Sequence, residues 1–353
     1  MIETFHLASG EEARLPSGFL FGNYQEAAAG TGCTVLICPP GATGAVAVRG
    51  GAPATRETDL LDPVNTVEVL HAVLLSGGSA FGLDAAAGVM RWLEEQGIGL
   101  SFAGSCIPIV SAACIFDLPV GEAGSRPNAE WGYRAARSAG HRLHTGNIGA
   151  GTGATVGKLL GPDWAMKAGL GACSLGVGEL VISAVAVVNA LGNIDSGQRN
   201  RMVAGTRDPE RPLSILDPYQ ALFTQIQAEA PERENPLLPA DTDNADPARQ
   251  AQQAAASRAN TTICCVLTNA RLNKAQATRV ASMAHDGYAR SIEPVHTSND
   301  GDTLFVMASG ELAASPDLIG ILAARAVEGA IINAALDAEG AYGLPASRDL
   351  LKL

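Results

Sequence analysis

The sequence predicts a layered α/β fold, and three observations lead there. Of its 353 residues, 47% are hydrophobic, enough to bury a sizeable core in one large or two modest domains. Forty glycines stand beside only 5% aromatics, a balance suited to tight turns and close backbone approaches and unlike a fibrous or disordered chain. Strand-like apolar runs also alternate with segments of helical spacing along most of the chain.

Taken in order, Cys33 to Cys38 reads as a buried strand closed by Pro39-Pro40-Gly41, with a second strand around Ala45 to Val48. Asn65 to Leu75 mixes apolar residues at helical spacing. Ala80 to Glu95 is a helix, because Leu83, Ala86, Ala87, Met90 and Leu93 recur at helical intervals. Ile107 to Leu118 is apolar and extended, with Pro108 at its edge. A glycine-rich loop from Gly146 to Gly153 ends at Gly157-Lys158, and two strands follow, Ala165 to Leu175 and Leu180 to Val188, the second running into Asn189. From about 205 to 259, Asp, Glu, Pro, Gln and Ala dominate, which predicts a mobile linker. Beyond Thr261 the expected order is a strand to Thr268, a helix from Lys274 to Arg290, a strand from Thr303 to Ala308 and a long helix from Pro316 to Asp337.

Charge and composition narrow the function. A net charge of −12 with no Lys/Arg cluster excludes nucleic acid as a partner, because phosphate binding needs a basic face. Met1 to His6 lacks the basic and apolar regions of a signal peptide. No run is expected to span a membrane, since Gly77, Gly78, Gly82 and Asp84 interrupt the longest candidate. The cytoplasm is the expected compartment. Seven cysteines without a C-x-x-C pair fit reduced buried thiols better than disulfides or a zinc site.

Several motifs dissolve on inspection. Gly151 to Lys158 is not a P-loop, because Thr152 and Leu159 stand where glycine and Ser/Thr are required, and no acidic residue follows at the distance a dinucleotide site needs. Gly77-Gly78-Ser79-Ala80-Phe81 is not a nucleophile elbow, since Phe81 replaces its second glycine; Ser79 reads as a helix cap. His285 and His296 sit in no metal-binding spacing and read as satisfied or exposed histidines. Asn299-Asp300-Gly301-Asp302 lacks the alternating acids of a calcium loop, and reads as a turn whose two carboxylates could fix a hydroxyl or an ammonium at a strand's start. No metal or cofactor is called for.

The informative junction is Ala259-Asn260-Thr261-Thr262, where the polar stretch meets the apolar run Ile263 to Leu267. A hydroxyl residue there can attack the carbonyl before it, break the chain and become an N-terminal nucleophile beside its own amine.

Five segments in this order resemble one family: Leu75 to Asp84, Ile107 to Asp117, Gly149 to Lys158, Asn260 to Ile263 and His296 to Phe305. The chain is similar over nearly its whole length to the DmpA-type aminopeptidases and nylon-oligomer hydrolases, and more distantly to ornithine acetyltransferases. The resemblance implies an α/β (α+β) fold, a four-layer αββα sandwich of N-terminal-nucleophile type, in one catalytic domain over 1–353. It implies self-cleavage before Thr261 into fragments 1–260 and 261–353 that stay associated as a homo-oligomer of processed protomers. It also implies that Lys158 matches the family's active-site lysine, Asn189 its oxyanion-stabilising asparagine, and Asp300 and Asp302 its acidic pair. The expected substrate is a small peptide, a β-peptide or a 6-aminohexanoate oligomer. An acyltransferase in which an amine intercepts the acyl-Thr261 ester is the alternative on this scaffold, and a non-catalytic family member a third reading, opposed by the presence of all five polar residues. Phe116 stands where the nylon-oligomer hydrolases carry tyrosine, which bears on substrate preference.

Overall fold

A computed structural model describes residues 15–122, 124–197, 202–229 and 260–351. In chain order its main elements are strands β1 (Leu20–Glu26), β2 (Thr31–Val48) and β3 (Leu70–Ser76), helix α1 (Ala85–Glu95), strand β4 (Val110–Cys114), helix α2 (Ala129–Arg137), strands β5 (Leu170–Val177) and β6 (Leu180–Asn189), and helix α3 (Pro218–Glu229). Strand β7 (Thr261–Ala270), helices α4 (Lys274–Ala284) and α5 (Asp286–Ser291), strand β8 (Thr303–Leu312) and helix α6 (Pro316–Leu336) complete them.

Strand β2 belongs to two sheets. Its first half pairs with β1 and β3, and its second half, Thr43 to Val48, pairs antiparallel with β8. Pro39-Pro40-Gly41 was expected to close a strand; it bends one instead. The register shifts between Ile37 and Ala42, where two prolines cannot donate ladder hydrogen bonds and Gly41 takes φ +84. One sheet is therefore β1-β2-β3-β4, and the other runs β5-β6-β7-β8-β2. Neighbours among these strands are antiparallel except β3–β4 and β7–β8.

The side-chain period of two divides β7 between two cores. Ile263, Cys265 and Leu267 point between the sheets, packing with Leu36, Leu75 and Phe305. Cys264 and Val266 point the other way, onto Val280 of α4 and Val327 and Ile331 of α6. On the far face of the first sheet, Val35, Ile37 and Leu74 meet Val89 and Leu93 of α1 and Trp131 of α2. Helix, sheet, sheet and helix thus stack as an αββα sandwich, each sheet covered on both faces.

Some elements differ from expectation. The helical spacing over 65–75 belongs to β3, whose seven residues are all buried. A strand buried on both faces shows no alternation, so its run of Leu, Ala and Val imitates a helix. Helix α2 goes unpredicted, although Asn128 caps it by accepting the Glu130 and Trp131 N–H groups. The helix of 274–290 is two helices that meet at His285. Ser79 is not a cap: Gly78 precedes a 3₁₀ turn in a left-handed conformation, Ser79 itself has φ +54, and its N–H donates to the Ile115 carbonyl.

The expected linker over 205–259 begins too early. Thr206 is buried, with its N–H on Asn193 Oδ1 at 2.8 Å, and α3 follows, started by Asp217 Oδ1 accepting the Tyr219 and Gln220 N–H groups. Residues 230–259 of that stretch lie outside the described residues. Among the described residues, helix α6, and not the stretch interrupted by Gly77 to Asp84, is the longest candidate span. With 21 residues and a mean hydropathy of 1.6 it is long and apolar enough to cross a bilayer by length and composition, yet 78% of its most apolar window is buried inside the fold. All seven cysteines are free thiols.

Candidate active site

Three strand ends converge. Asn189, the last residue of β6, sits opposite Thr261, the first of β7. The parallel β7–β8 pairing sets Ile263 beside Thr303, which brings the turn before β8 alongside the junction. Asn260 bridges Asp300 there, and the Gly301 N–H donates to the Asn260 carbonyl at 3.2 Å. Lys158 arrives from a loop tied to the end of β6, with its N–H on the Leu191 carbonyl at 2.9 Å. That loop depends on Gly157, which has φ +73 and leaves no room for a Cβ, whose nearest atom would be the Gly205 carbonyl carbon at 1.9 Å.

All five expected residues therefore meet in one cluster, and each is at most 5% exposed. Burial on that scale demands partners. Lys158 Nζ donates to Asn189 Oδ1 at 2.9 Å and to the Asn189 carbonyl at 3.1 Å. The Thr155 N–H and hydroxyl reach the same Oδ1 at 3.1 and 3.2 Å. So many donors fix the amide's orientation and aim its Nδ2 at the Phe116 carbonyl, 3.0 Å away. In the continuous chain Asn189 thus donates to Phe116 from a position beside Thr261.

The Thr261 hydroxyl donates to the Asn260 carbonyl oxygen. That oxygen consequently takes donors from both Thr261 and Gly301. Asp302 divides its two oxygens: Oδ1 accepts the Thr262 N–H at 2.7 Å, and Oδ2 accepts from His296 Nδ1 at 2.8 Å. Asp300 Oδ2 accepts the Thr297 N–H at 2.6 Å.

Electrostatics follow from burial. Desolvation pulls Lys158 down from 10.5 to about 7, opposed by the charges of Asp300 and Asp117. Desolvation and then the Asp302 charge raise Asp300 above the usual carboxylate range, against hydrogen bonds from Thr297. Asp117 is pushed up to about 6 by burial, offset by hydrogen bonds from the Gly78 N–H and the Thr31 hydroxyl. Beside it, burial lowers Lys167 to about 7 while its ammonium donates to the carbonyls of Gly151, Ala154 and Ala168. An amine neutral near pH 7, a hydroxyl against a carbonyl and a backbone donor on that carbonyl's oxygen are the elements of an acyl transfer.

Sequence reasoning passed over Thr155, Asp117, Lys167 and the Phe116 carbonyl as partners of this cluster. Asp117 lay inside a quoted segment but carried no spacing that tied it to Lys158. His296 is the satisfied kind of histidine and not the exposed kind, with its Nδ1 hydrogen-bonded to Asp302. Among the described residues no group of three or more His, Cys, Asp and Glu side chains could hold a metal ion.

Residues 17–347 match the model of peptidase family S58. An uncharacterised aminopeptidase of Mycobacterium tuberculosis is 39% identical over 336 residues, covering 90% of this chain and 89% of that protein. A 6-aminohexanoate-oligomer endohydrolase of Kocuria sp. is 32% identical over 289 residues, covering 80% of this chain and 70% of that one. Among solved structures, an L-aminopeptidase D-Ala-esterase/amidase of Ochrobactrum anthropi, described as a variant of the Ntn hydrolase fold, superposes with a TM-score of 0.64 at 15% identity, covering 100% of this chain and 95% of that one. A Burkholderia sp. β-aminopeptidase gives a TM-score of 0.61 at 17% identity, covering 99% and 96%. Those two likenesses are of fold. The family match over nearly the whole described fold, together with relatives more than 30% identical over most of its length, shows that this chain belongs to peptidase family S58, a family of amide-bond hydrolases.

Proposed function

We propose that the chain cuts itself between Asn260 and Thr261 and then uses Thr261 as an N-terminal nucleophile to hydrolyse linear amides. One observation carries this reading: the Thr261 hydroxyl lies against the carbonyl that precedes it, with the Gly301 N–H on the same oxygen. Thr261 Oγ1 attacks the Asn260 carbonyl carbon and its proton passes to a base. The C–N bond breaks as the amide becomes an ester, and water then cleaves the ester to leave the Asn260 carboxylate and a free Thr261 amine. Lys158, lowered to about 7, is the base at hand before that amine exists. Afterwards the α-amine, with a reference pKa of about 7.7–8.0, can accept the hydroxyl proton during each turnover. Asn189 serves as an amide donor to the developing oxyanion once cleavage frees the strand end, while Asp300 and Asp302 orient the strand start and balance the lysine.

The substrate class is a short peptide, a β-peptide or a 6-aminohexanoate oligomer, supported by the names borne by relatives and fold neighbours. The proposed compartment is the cytoplasm, supported by seven free thiols. Association of processed protomers is supported by the exposed Tyr219 and Phe223 of α3.

The test is direct. Purified wild type should give two fragments by denaturing gel and intact mass, divided before Thr261, and Thr261→Ala should stay whole and inactive on a panel of aminoacyl amides, β-peptides and aminohexanoate oligomers. An uncut wild type that hydrolyses the panel would overturn the reading.

A further inference from the structure

His296 has a backbone φ of +57, a left-handed conformation uncommon outside glycine, in which histidine is among the enriched side chains. Its Nε2 is buried and meets no hydrogen-bond partner among the described residues. A buried nitrogen without a partner costs free energy, and such a place is a candidate for a role. The ring sits in a cluster of aromatic side chains. The His285 ring lies 5.0 Å from that of His296 and the Tyr288 ring 5.6 Å away, while His285 Nε2 is anchored on the Ala47 carbonyl at 2.9 Å.

The one polar contact made by the His296 ring is informative. Its Nδ1 lies 2.8 Å from Asp302 Oδ2, and a carboxylate can only accept, so Nδ1–H donates. The other oxygen of the same carboxylate holds the Thr262 N–H at 2.7 Å. The Tyr288 hydroxyl, with its single proton, lies 3.0 Å from the Thr303 carbonyl and 3.3 Å from that of Thr262, and so ties β8 to the start of β7. The N–H of the residue that follows Thr261 is therefore held through Asp302, and the carboxylate that holds it rests on the His296 ring. A packing residue needs no nitrogen at that place.

We propose that His296 is a positioning residue for the chemistry at Thr261. Its Nδ1–H fixes the rotation of the Asp302 carboxylate, which fixes the Thr262 N–H and so the aim of the Thr261 hydroxyl at the Asn260 carbonyl. The proposal rests on Thr261 as the nucleophile. It predicts that the ring matters for its donor and not for its bulk or its turn.

Two substitutions separate these roles. In asparagine the amide nitrogen is as many bonds from Cβ as Nδ1 is in histidine, and asparagine tolerates left-handed backbone; glycine accepts that backbone freely and removes only the ring donor, because the residue 296 main-chain N–H, 3.2 Å from Asp302 Oδ2, remains in every variant. The readout is the rate of self-cleavage of freshly made chain, followed by denaturing gel, with the thermal midpoint measured beside it. Loss of one hydrogen bond to a charged group predicts about 10- to 100-fold slower cleavage for His296→Gly. His296→Asn should restore the rate to within a few-fold of wild type. His296→Gly combined with Asp302→Asn should be no slower than Asp302→Asn alone, because the histidine acts through that carboxylate. If His296→Gly does not fold, His296→Phe, which keeps a ring in the cluster without the donor, replaces it with the same expected loss.

A folded His296→Gly or His296→Phe that cleaves at the wild-type rate overturns the proposal, as does an Asn variant as slow as the glycine one or losses that add in the double variant. These outcomes leave Thr261 as nucleophile intact. A wild-type chain that is not cut before Thr261 overturns that reading and this one together.

Discussion

Lys158 shows how burial writes itself into a pH profile. Its amine titrates at about 7 in the fold and at 10.5 when unperturbed, so between those values the unfolded chain binds a proton that the folded chain has released. The contribution of this group to stability therefore rises with pH from about 7 to about 10.5, and Lys167 has the same sign. Asp117 behaves oppositely: held at about 6 against 3.8, it favours the fold most at low pH and loses that contribution as pH rises through about 6. If the neutral amine is the base for self-cleavage, the rate should climb about tenfold per pH unit up to about 7 and then level off. Lys158→Met should abolish the cleavage and lessen the rise in thermal midpoint above pH 7, leaving the part due to Lys167; a pH-independent cleavage rate between 5 and 8 would exclude this role. Gly301 offers a second check at the same scale. A Cβ there would come within 2.8 Å of Thr261 Oγ1 and 2.9 Å of the Ala52 carbonyl, so Gly301→Ala should fold but displace the hydroxyl. A near-attack geometry lost by about 1 Å predicts cleavage slower by roughly 100-fold, measured by time-course gels. Of the five clustered residues, Thr261 was legible from the junction of a polar stretch with an apolar run, while Lys158, Asn189, Asp300 and Asp302 were singled out by the family resemblance. Their partners were not. Thr155 reaches Asn189 and Gly78 reaches Asp117 across spans of sequence with no periodicity, so only the folded chain brings them together.

The elements were legible where one face is buried and the other covered differently, as in α1, and ambiguous where burial is complete. Strand β3 is the case: it is apolar on both faces, and its length of seven residues separates it from a core helix better than pattern does, whereas α6 was expected as a long helix and only its burial separates it from a membrane span. Helix α6 sits on β5 with no clearance. A Cβ on Gly171 would lie 2.2 Å from the Ala330 carbonyl oxygen and 2.3 Å from the Ala334 nitrogen, both main-chain atoms that cannot rotate away. Gly171→Ala should therefore separate helix from sheet and lower stability by about 1–3 kcal/mol, seen as a lower midpoint in thermal or urea unfolding. An unchanged midpoint would mean that the helix shifts without loss. The bend in β2 was half legible: the prolines and glycine announce an interruption, but whether a chain turns back or continues into a second sheet depends on partners absent from the local sequence.

At the scale of the whole molecule, strand order matters more than the cut itself. In β5-β6-β7-β8-β2, the strands of residues 261–353 occupy the middle, with β6 on one flank and β2 on the other. Their hydrogen bonds and both cores span the proposed division, since β7 contributes to the intersheet core and to the core under α6. Cleaved protein should accordingly elute from a sizing column as one species, with both fragments parting only in denaturant; fragments that separate in native buffer would contradict the strand order. The same interleaving sets a sequence of events. Residues 1–260 made alone would have to hold open a slot between β6 and β2, exposing two unpaired strand edges of the kind that recruit other chains into aggregates. Continuity through residue 260 is thus a template. It delivers the two central strands already tethered to their slot, one copy per copy, and under the proposed cut before Thr261 severing the tether would be the last act of assembly, so that no chain would gain its nucleophile before the sheet around it has closed.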